Sequence, residues 1–296
     1  MSKWKHNAAA VLRAGEEWSI ESPNAGDTPG WNGDRNDAER HMARQGERLS
    51  QLQEKLFAEG RTGGNRSVLL VLQGMDTSGK GGIVRHVLGM VDPQGVAHRS
   101  FGVPTDEERA HHYLWRIRNS LPPAGRIGVF DRSHYEDVLV VKVHHLVPGD
   151  PWEERYAEIN AFEKEVADAG TVIVKCALMI SPEEQFDRLR ERLERPDKYW
   201  KFNPSDIDER GHWLEYMAAY RAAILATNTD VAPWYVIPAD NKWYARLAIT
   251  ELLLGALESL DLRWPAADFS VAEQMQRLDD MGAAAPAPVE PELPAV

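Results

Sequence analysis

The sequence predicts an α/β fold in which a parallel sheet of about five strands carries helices on both faces. Short apolar runs alternate with segments of helical periodicity, and a glycine-rich turn follows the first run. The first, third and fourth runs are almost continuously apolar, as strands covered on both faces are. The predicted strands are Val68–Leu72, Val96–Phe101, Ile127–Asp131, Val172–Met179 and Trp234–Pro238.

Helices are predicted before, between and after these strands. Met42, Leu49 and Leu56 fall at helical spacing, which predicts an amphipathic helix over Asp37–Glu59. The other predicted helices are Lys80–Met90, Asp106–Asn119, Tyr135–His145, Trp152–Ala169, Pro182–Glu194, Asp206–Thr227 and Lys242–Leu260.

The composition along the chain predicts one main domain with two extensions. Residues 1–36 are rich in Gly, Asn, Asp and Pro and read as an irregular N-terminal arm. Residues 37–270 hold the alternating strands and helices. Residues 271–296 form a C-terminal tail, and its Pro- and Ala-rich end is predicted to be disordered.

Charge and cysteine content bound the class of protein. The 296 residues have a hydrophobic fraction of 43%, enough to fill a sizeable core, and a formal net charge of −12, which argues against general nucleic-acid binding. Cys176 is the single cysteine, so the chain forms no internal disulfide and a reducing compartment is favoured. No apolar run approaches the roughly 20 residues of a membrane span, and no signal peptide is evident. A cytoplasmic protein without a membrane partner is expected.

The turn after the first strand has the build of a phosphate-binding loop. Glycines let backbone N–H groups turn toward an anion, the following helix offers its positive end, and a lysine adds charge. The spacing fits G-x-x-x-x-G-K, but Gly81 stands where such loops need Ser or Thr to hold magnesium. The residues predicted to bind phosphate here are Gly74, Thr77, Ser78, Gly79, Lys80, Gly81 and Gly82.

Carboxylates near two strand ends predict a metal site. Asp76 lies inside the glycine-rich turn, where it can replace the missing hydroxyl as a metal ligand, and Asp131 ends the third strand. Arg132 follows and can reach phosphate oxygens. Glu136 and Asp137 open the next helix and can position an acceptor or, for Glu136, a metal-bound water. The alternatives are a helix N-cap for Asp131 and an interaction with the helix dipole for Glu136 and Asp137.

A basic helix and loop predict a lid over about residues 185–210. Arg188, Arg192 and Arg195 lie at i, i+4 and i+7, and Lys198 and Lys201 follow in a loop broken by prolines. Glu184 and Glu191 can pair with Arg188 and Arg195, so Arg192 is expected to be freer to reach a phosphate. Arg85 and His86 can extend the basic track beyond Lys80, although both can equally be ordinary helix surface.

The motifs GMDTSGKG, DPQG at 92–95, FDRSHYEDVLVVKVHHLVP and RLERPDKYWKF together resemble the polyphosphate kinase 2 family over about residues 35–265. The resemblance implies a three-layer P-loop kinase fold close to that of thymidylate kinases, with a helical lid. It implies a transferase that moves the terminal phosphoryl group reversibly between inorganic polyphosphate and adenine or guanine nucleotides. Mg²⁺ or Mn²⁺ as cofactor and a homodimer or homotetramer are also implied.

The resemblance also implies roles for single residues. The catalytic set it implies is Asp76, Lys80, Asp131, Arg132 and Arg192. With Glu136 at this position, the chain resembles the subgroup that accepts both AMP and ADP (class III), although many members of that subgroup have Asn where this chain has Asp131. Sequence alone leaves open whether Asp76 holds metal, acts as a base, or does both.

Two other functions are consistent with the same motifs. A nucleoside monophosphate kinase that uses ATP as donor would have a similar fold, but the missing hydroxyl at Gly81 counts against it. A non-catalytic protein that binds polyphosphate or nucleotide has little need for two metal carboxylates beside Lys80 and Arg132.

Overall fold

The computed structural model describes residues 3–15, 24–147, 149 and 152–282. Two compact units divide the chain, Met1–Arg263 and Trp264–Val296. The strands of the first unit are β1 (Ser67–Gln73), β2 (Val96–Ser100), β3 (Ile127–Asp131), β4 (Thr171–Met179) and β5 (Trp234–Pro238). They form one parallel sheet in the order β2-β3-β1-β4-β5. The predicted five-stranded parallel sheet is confirmed, and β3 and β5 have the predicted bounds.

Helices cover both faces of this sheet. They are α1 (Ala8–Leu12), α2 (Arg35–Arg61), α3 (Lys80–His86), α4 (Asp106–Arg109), α5 (Leu114–Arg118), α6 (Val140–Val143), α7 (Trp152–Asp168), α8 (Pro182–Glu194), α9 (Ser205–Gly211), α10 (Trp213–Thr227) and α11 (Lys242–Glu258). Helices α2, α3 and α11 share one hydrophobic core with the sheet, and α5, α7 and α10 share the other. Among the described residues, no helix is long and apolar enough to cross a membrane.

Three predicted helices are shorter or divided. The predicted helix over 106–119 stops at Arg109 and resumes at Leu114, with residues 110–113 forming the break between them. The predicted helix over 206–227 divides at His212, next to Gly211. The helix predicted to reach residue 90 ends at His86, and the 3₁₀ turn Leu88–Met90 follows it.

The segment after β3 departs furthest from the prediction. In place of one helix over 135–145, the chain forms the 3₁₀ turn His134–Asp137 and then the single helical turn α6. The run VLVVKV, residues 138–143, is rich in β-branched side chains, which lower helix propensity, and only its last four residues form a helical turn. Tyr135 is fully buried, so the turn is also held by its core side chain.

The two terminal segments contain short helices that composition did not predict. In the arm, α1 leads to Arg13, which bridges Tyr235 on the edge strand β5, and the Ala14 N–H donates to the Trp234 carbonyl at 2.9 Å. The second unit contains α12 (Val271–Met281), whose N-cap Ser270 accepts from the Glu273 N–H. The predicted disorder at the end of the tail falls outside the described residues.

Candidate active site

The loop between β1 and α3 has the backbone geometry of an anion cradle. Gly74 and Gly79 have φ values of +158° and +112°, in the region that favours glycine. A Cβ on Gly74 would lie 2.6 Å from Ser78 Oγ and 2.7 Å from the Leu178 carbonyl oxygen, so no larger residue fits. Thr77 also has a left-handed backbone, with φ +66°. The loop therefore curves tightly around Lys80, the first residue of α3.

Lys80 is buried at the start of α3 and faces the middle of this loop. Its Nζ donates to the Gly74 carbonyl oxygen at 2.7 Å. Burial lowers the pKa of Lys80, and Arg132 lowers it further, while Asp131, Asp76 and Glu136 oppose the shift. Asp76, Asp131 and Arg132 line the same groove as this ammonium group, at the edge of the sheet where β1 and β3 end.

Asp76 and Arg132 form an ion pair across the site. Arg132 Nη2 donates to Asp76 Oδ1 at 2.7 Å, and Arg132 Nη1 lies 3.6 Å from Glu136 Oε2. Burial opposes the charge of Arg132, but Glu136 and Asp76 outweigh it and raise the pKa of the guanidinium. The two residues predicted to hold metal and phosphate separately are thus in direct contact with each other.

Glu136 and Asp137 are neighbours in sequence but face different surroundings. Burial raises the pKa of Glu136, although Arg132 and Lys80 lower it. With the Gln73 amide oriented so that its oxygen accepts from Ser133, the amide nitrogen of Gln73 donates to Glu136 Oε1 at 2.9 Å. Asp137 instead faces Arg116 at 3.8 Å and Arg155 at 3.9 Å. The structure does not bring Asp137 to the cavity lined by Asp76, Arg132 and Glu136.

Arg188 and Arg192 lie on α8 and Arg195 is its C-cap residue, and the three side chains have different surroundings. Arg188 is buried and donates to the carbonyls of Thr77 and Ser78, at 2.8 and 3.1 Å. It also donates to the carbonyls of Ala239 and Asp240. Arg188 therefore supports the phosphate-binding loop from behind.

The helix spacing predicted that Arg192 is freer than its neighbours, but in the structure this side chain has two hydrogen-bond partners. Its Nη1 donates to Asp206 Oδ2 at 3.0 Å and to the Lys201 carbonyl at 2.9 Å. The helix spacing did not predict this partner, because it considers only residues on the same helix and Asp206 lies on α9. Arg192 nevertheless lines the groove that also holds Lys80. Arg195 pairs with Glu191, as predicted, and also with Asp197.

A groove of about 750 Å³ joins the phosphate-binding loop to α8, α11 and the 3₁₀ turn Pro196–Lys201. Asp76, Asp131, Glu191 and Asp206 also line it, but basic side chains predominate. They are Lys80, Arg85, His86, Arg132, Arg188, Arg192, Lys198, Lys201, Lys242 and Arg246. The groove gathers positive charge in a protein whose net charge is −12.

Comparison with known proteins identifies the family. The model of the family described as "Polyphosphate kinase 2 (PPK2)" matches residues 32–264, which is most of the chain. The chain belongs to the polyphosphate kinase 2 family. An AMP/ADP-polyphosphate phosphotransferase of Meiothermus ruber is 47% identical over 239 residues, covering 81% of this chain and 88% of the relative. An ADP-polyphosphate phosphotransferase of Rhodopseudomonas palustris is 42% identical, covering 74% and 78%.

The fold of this polyphosphate kinase 2 member agrees with a solved structure of the family. The polyphosphate kinase 2 of Arthrobacter aurescens TC1 superposes with a TM-score of 0.90 at 48% identity, covering 95% of this chain and all of the other. The predicted membership of the family is therefore confirmed, and with it the prediction of a kinase with this fold.

Lys242 and Arg246 are groove residues that the sequence analysis missed. They lie four residues apart in the first turns of α11, directly after β5. Burial lowers the pKa of both side chains, and neighbouring arginines including Arg188 lower it further. The signal that could have found them is topological, because the loop after β5 reaches the same sheet edge as the loops after β1 and β3.

The carboxylates of this polyphosphate kinase 2 member suit a divalent cation shared with a substrate, and phosphotransferases of this kind generally need such a cation. Within residues 3–15, 24–147, 149 and 152–282, no cluster of three or more His, Cys, Asp or Glu side chains is arranged to hold a metal by itself. Asp76 and Asp131 both line the groove beside Lys80. One or two carboxylates completed by substrate phosphates are the usual setting for Mg²⁺.

Proposed function

We propose that this protein transfers the terminal phosphoryl group of inorganic polyphosphate to AMP and ADP, reversibly and with Mg²⁺. The observation that carries the proposal is the basic groove that continues from the phosphate-binding loop along α8 and α11. A polyphosphate chain offers negative charge at every unit and no base or ribose to recognise. Family membership and the printed activities of the relatives from Meiothermus ruber and Rhodopseudomonas palustris support the same donor and the same acceptors.

The proposed transfer is a direct displacement. A terminal phosphate oxygen of AMP or ADP attacks the terminal phosphorus of the polymer, and the bond to the bridging oxygen breaks. The shortened polymer leaves with that electron pair, so charge is conserved. Lys80 and Arg132 neutralise the oxygens of the group in transfer, and Asp76 is the candidate to orient or deprotonate the acceptor. A bound Mg²⁺, held by Asp76 and Asp131, would supply further neutralisation of the phosphates, and Glu136 is the third candidate ligand.

Donor choice tests this proposal directly. The purified protein is incubated with Mg²⁺ and long-chain polyphosphate, without ATP, and with AMP or ADP in separate reactions. We expect ADP and ATP to form, measured by chromatography. No product with polyphosphate, but ADP from ATP plus AMP, would instead indicate an ATP-dependent nucleoside monophosphate kinase. Binding of polyphosphate with no turnover from either donor would indicate a non-catalytic binding protein.

The residues missed by the sequence analysis give a second test. The double variant Lys242→Ala/Arg246→Ala is expected to raise KM for long-chain polyphosphate about tenfold with kcat nearly unchanged, because partly exposed ion pairs contribute up to about 1 kcal/mol each. Steady-state kinetics at fixed ADP measures this. Lys164→Ala is the control, since Lys164 lies on α7 and pairs with Asp168. Equal KM values for the double variant and the control would show that α11 is not part of the polymer-binding surface.

A further inference from the structure

A buried charge cluster lies beneath the segment that carries Arg132 and Glu136. Lys175 sits in the middle of β4 with its side chain fully buried. Its three N–H donors meet three acceptors: Glu163 Oε2 at 2.6 Å, Tyr135 Oη at 2.8 Å and the Thr227 carbonyl at 2.8 Å. Lys175 does not line the groove, so the transfer reaction as described makes no use of this ammonium group.

Glu163 on α7 completes the cluster. Its side chain is 1% exposed, and its Oε1 lies 2.8 Å from Tyr135 Oη and 3.2 Å from His134 Nε2. Burial opposes the negative charge of Glu163, but Lys175 and His134 outweigh burial and lower the pKa of this carboxyl group. Lys175 and Glu163 therefore form an ion pair deep in the core, and both of them contact Tyr135.

The two residues that this pair engages, His134 and Tyr135, stand between Arg132 and Glu136 in the chain. Arg132 has a φ of +64°, a backbone conformation that costs a non-glycine residue about 1 kcal/mol or more and persists only where its surroundings enforce it. The 3₁₀ turn His134–Asp137 is one turn long, and the capping bonds at its two ends run only between residues 133 and 138. Its position therefore depends on the side chains that tie it to the core.

We propose that Lys175 and Glu163 are positioning residues that fix the Arg132–Glu136 segment relative to the phosphate-binding loop. This inference rests on the proposed function, in which Arg132 acts on the group in transfer. Stability alone is a poor reason for such a pair, since well-packed apolar residues in place of a buried ion pair are often as stable or more so. Directional bonds to Tyr135 and His134 fix the turn in a way that apolar packing does not.

The double variant Lys175→Met/Glu163→Leu distinguishes a positioning role of the pair from a stabilising role. It removes both charges together, so neither charge is left buried without its partner. We expect thermal unfolding close to that of the wild type, kcat lower by about 30-fold, and KM for polyphosphate within about twofold. A misplacement of about 1 Å is enough for a loss of this size, and the polymer-binding side chains on α8 and α11 are not tied to the cluster. A folded double variant with kcat within about threefold of wild type would overturn the proposal.

Tyr135→Phe decides the question if the double variant does not fold. It keeps the ring and removes only the hydroxyl group that links Lys175 to Glu163. Tyr244→Phe is the matched control, since Tyr244 is equally buried and its hydroxyl donates to the Pro29 carbonyl instead. We expect Tyr135→Phe to lower kcat about tenfold while Tyr244→Phe keeps it. Equal kcat values for the two variants would overturn the proposal.

The same assays distinguish this inference from the function on which it depends. A wild-type protein that makes no ADP or ATP from polyphosphate contradicts the proposed function, whatever the variants do. A wild-type protein that turns over, with variants that turn over equally fast, contradicts the positioning role alone.

Discussion

Replacing Lys80 with methionine is expected to lower kcat for polyphosphate-dependent phosphorylation of ADP by about a thousandfold. The Lys80 side chain is buried, its Nζ donates to the Gly74 carbonyl oxygen, and Asp76 and Asp131 line the same groove. Methionine is similar in length, so the packing at the start of α3 is largely kept while the charge is lost. Without that charge the oxygens of the group in transfer lose their central cation. Single-turnover kinetics with ADP and excess polyphosphate measures the loss in the chemical step.

Lys164→Met is the control for Lys80→Met, because it also removes one ammonium group but on α7, where Lys164 pairs with Asp168. Circular dichroism and thermal unfolding establish that both variants fold. A folded Lys80→Met protein that keeps more than about a tenth of wild-type kcat would show that the phosphate-binding loop works through its backbone N–H groups and not through Lys80.

The change Asp76→Asn is expected to lower kcat by about a hundredfold and to raise the Mg²⁺ concentration needed for half-maximal rate. The amide keeps an oxygen that can accept from Arg132 Nη2, at 2.7 Å in the wild type, but it is a poor ligand for Mg²⁺ beside Asp131. The effect on metal demand separates a metal ligand from a group that only orients Arg132. Initial rates over a Mg²⁺ titration, with ADP and polyphosphate fixed, measure both quantities.

Asp168→Asn, which removes an exposed carboxylate on α7, serves as the control for Asp76→Asn. If Asp76→Asn lowers kcat but leaves the Mg²⁺ dependence unchanged, Asp76 acts on Arg132 or on the acceptor and not on the cation. If neither quantity changes, the replacement of the usual loop hydroxyl by Asp76 is not the basis of metal binding in this protein.

The strands and the phosphate-binding loop were predictable because their signals are local. Ile127–Asp131 and Trp234–Pro238 were predicted with their observed bounds, since each apolar run ends at a residue that a buried strand does not continue. Pro182–Glu194 was equally clear, because Ser181 and Pro182 mark a helix start and Pro196 follows soon after its end. Gly74 and Gly79 were informative for the same reason, since their backbone conformations are ones that few other residues adopt.

The side-chain partners could not be predicted, because they depend on contacts between residues far apart in sequence. Asp76 and Arg132 are 56 residues apart and pair only because β1 and β3 are adjacent in the sheet. Arg192 forms an ion pair with Asp206, which lies on another helix. Asp137 faces Arg116 and not the groove. The Lys175–Glu163 pair lies on a strand and a helix whose apolar pattern gave no reason to examine either residue.

The bonds of Arg188 fix the first part of the predicted lid, residues 185–210, to the sheet edge. One guanidinium group ties the middle of α8 to the loop after β1 and to the end of β5, through four backbone carbonyls. If that segment moves as a lid, we expect the movement to begin beyond Arg188, toward Arg192 and the turn Pro196–Lys201. The part of the groove formed by the loop after β1 is thereby held in a fixed position relative to α8.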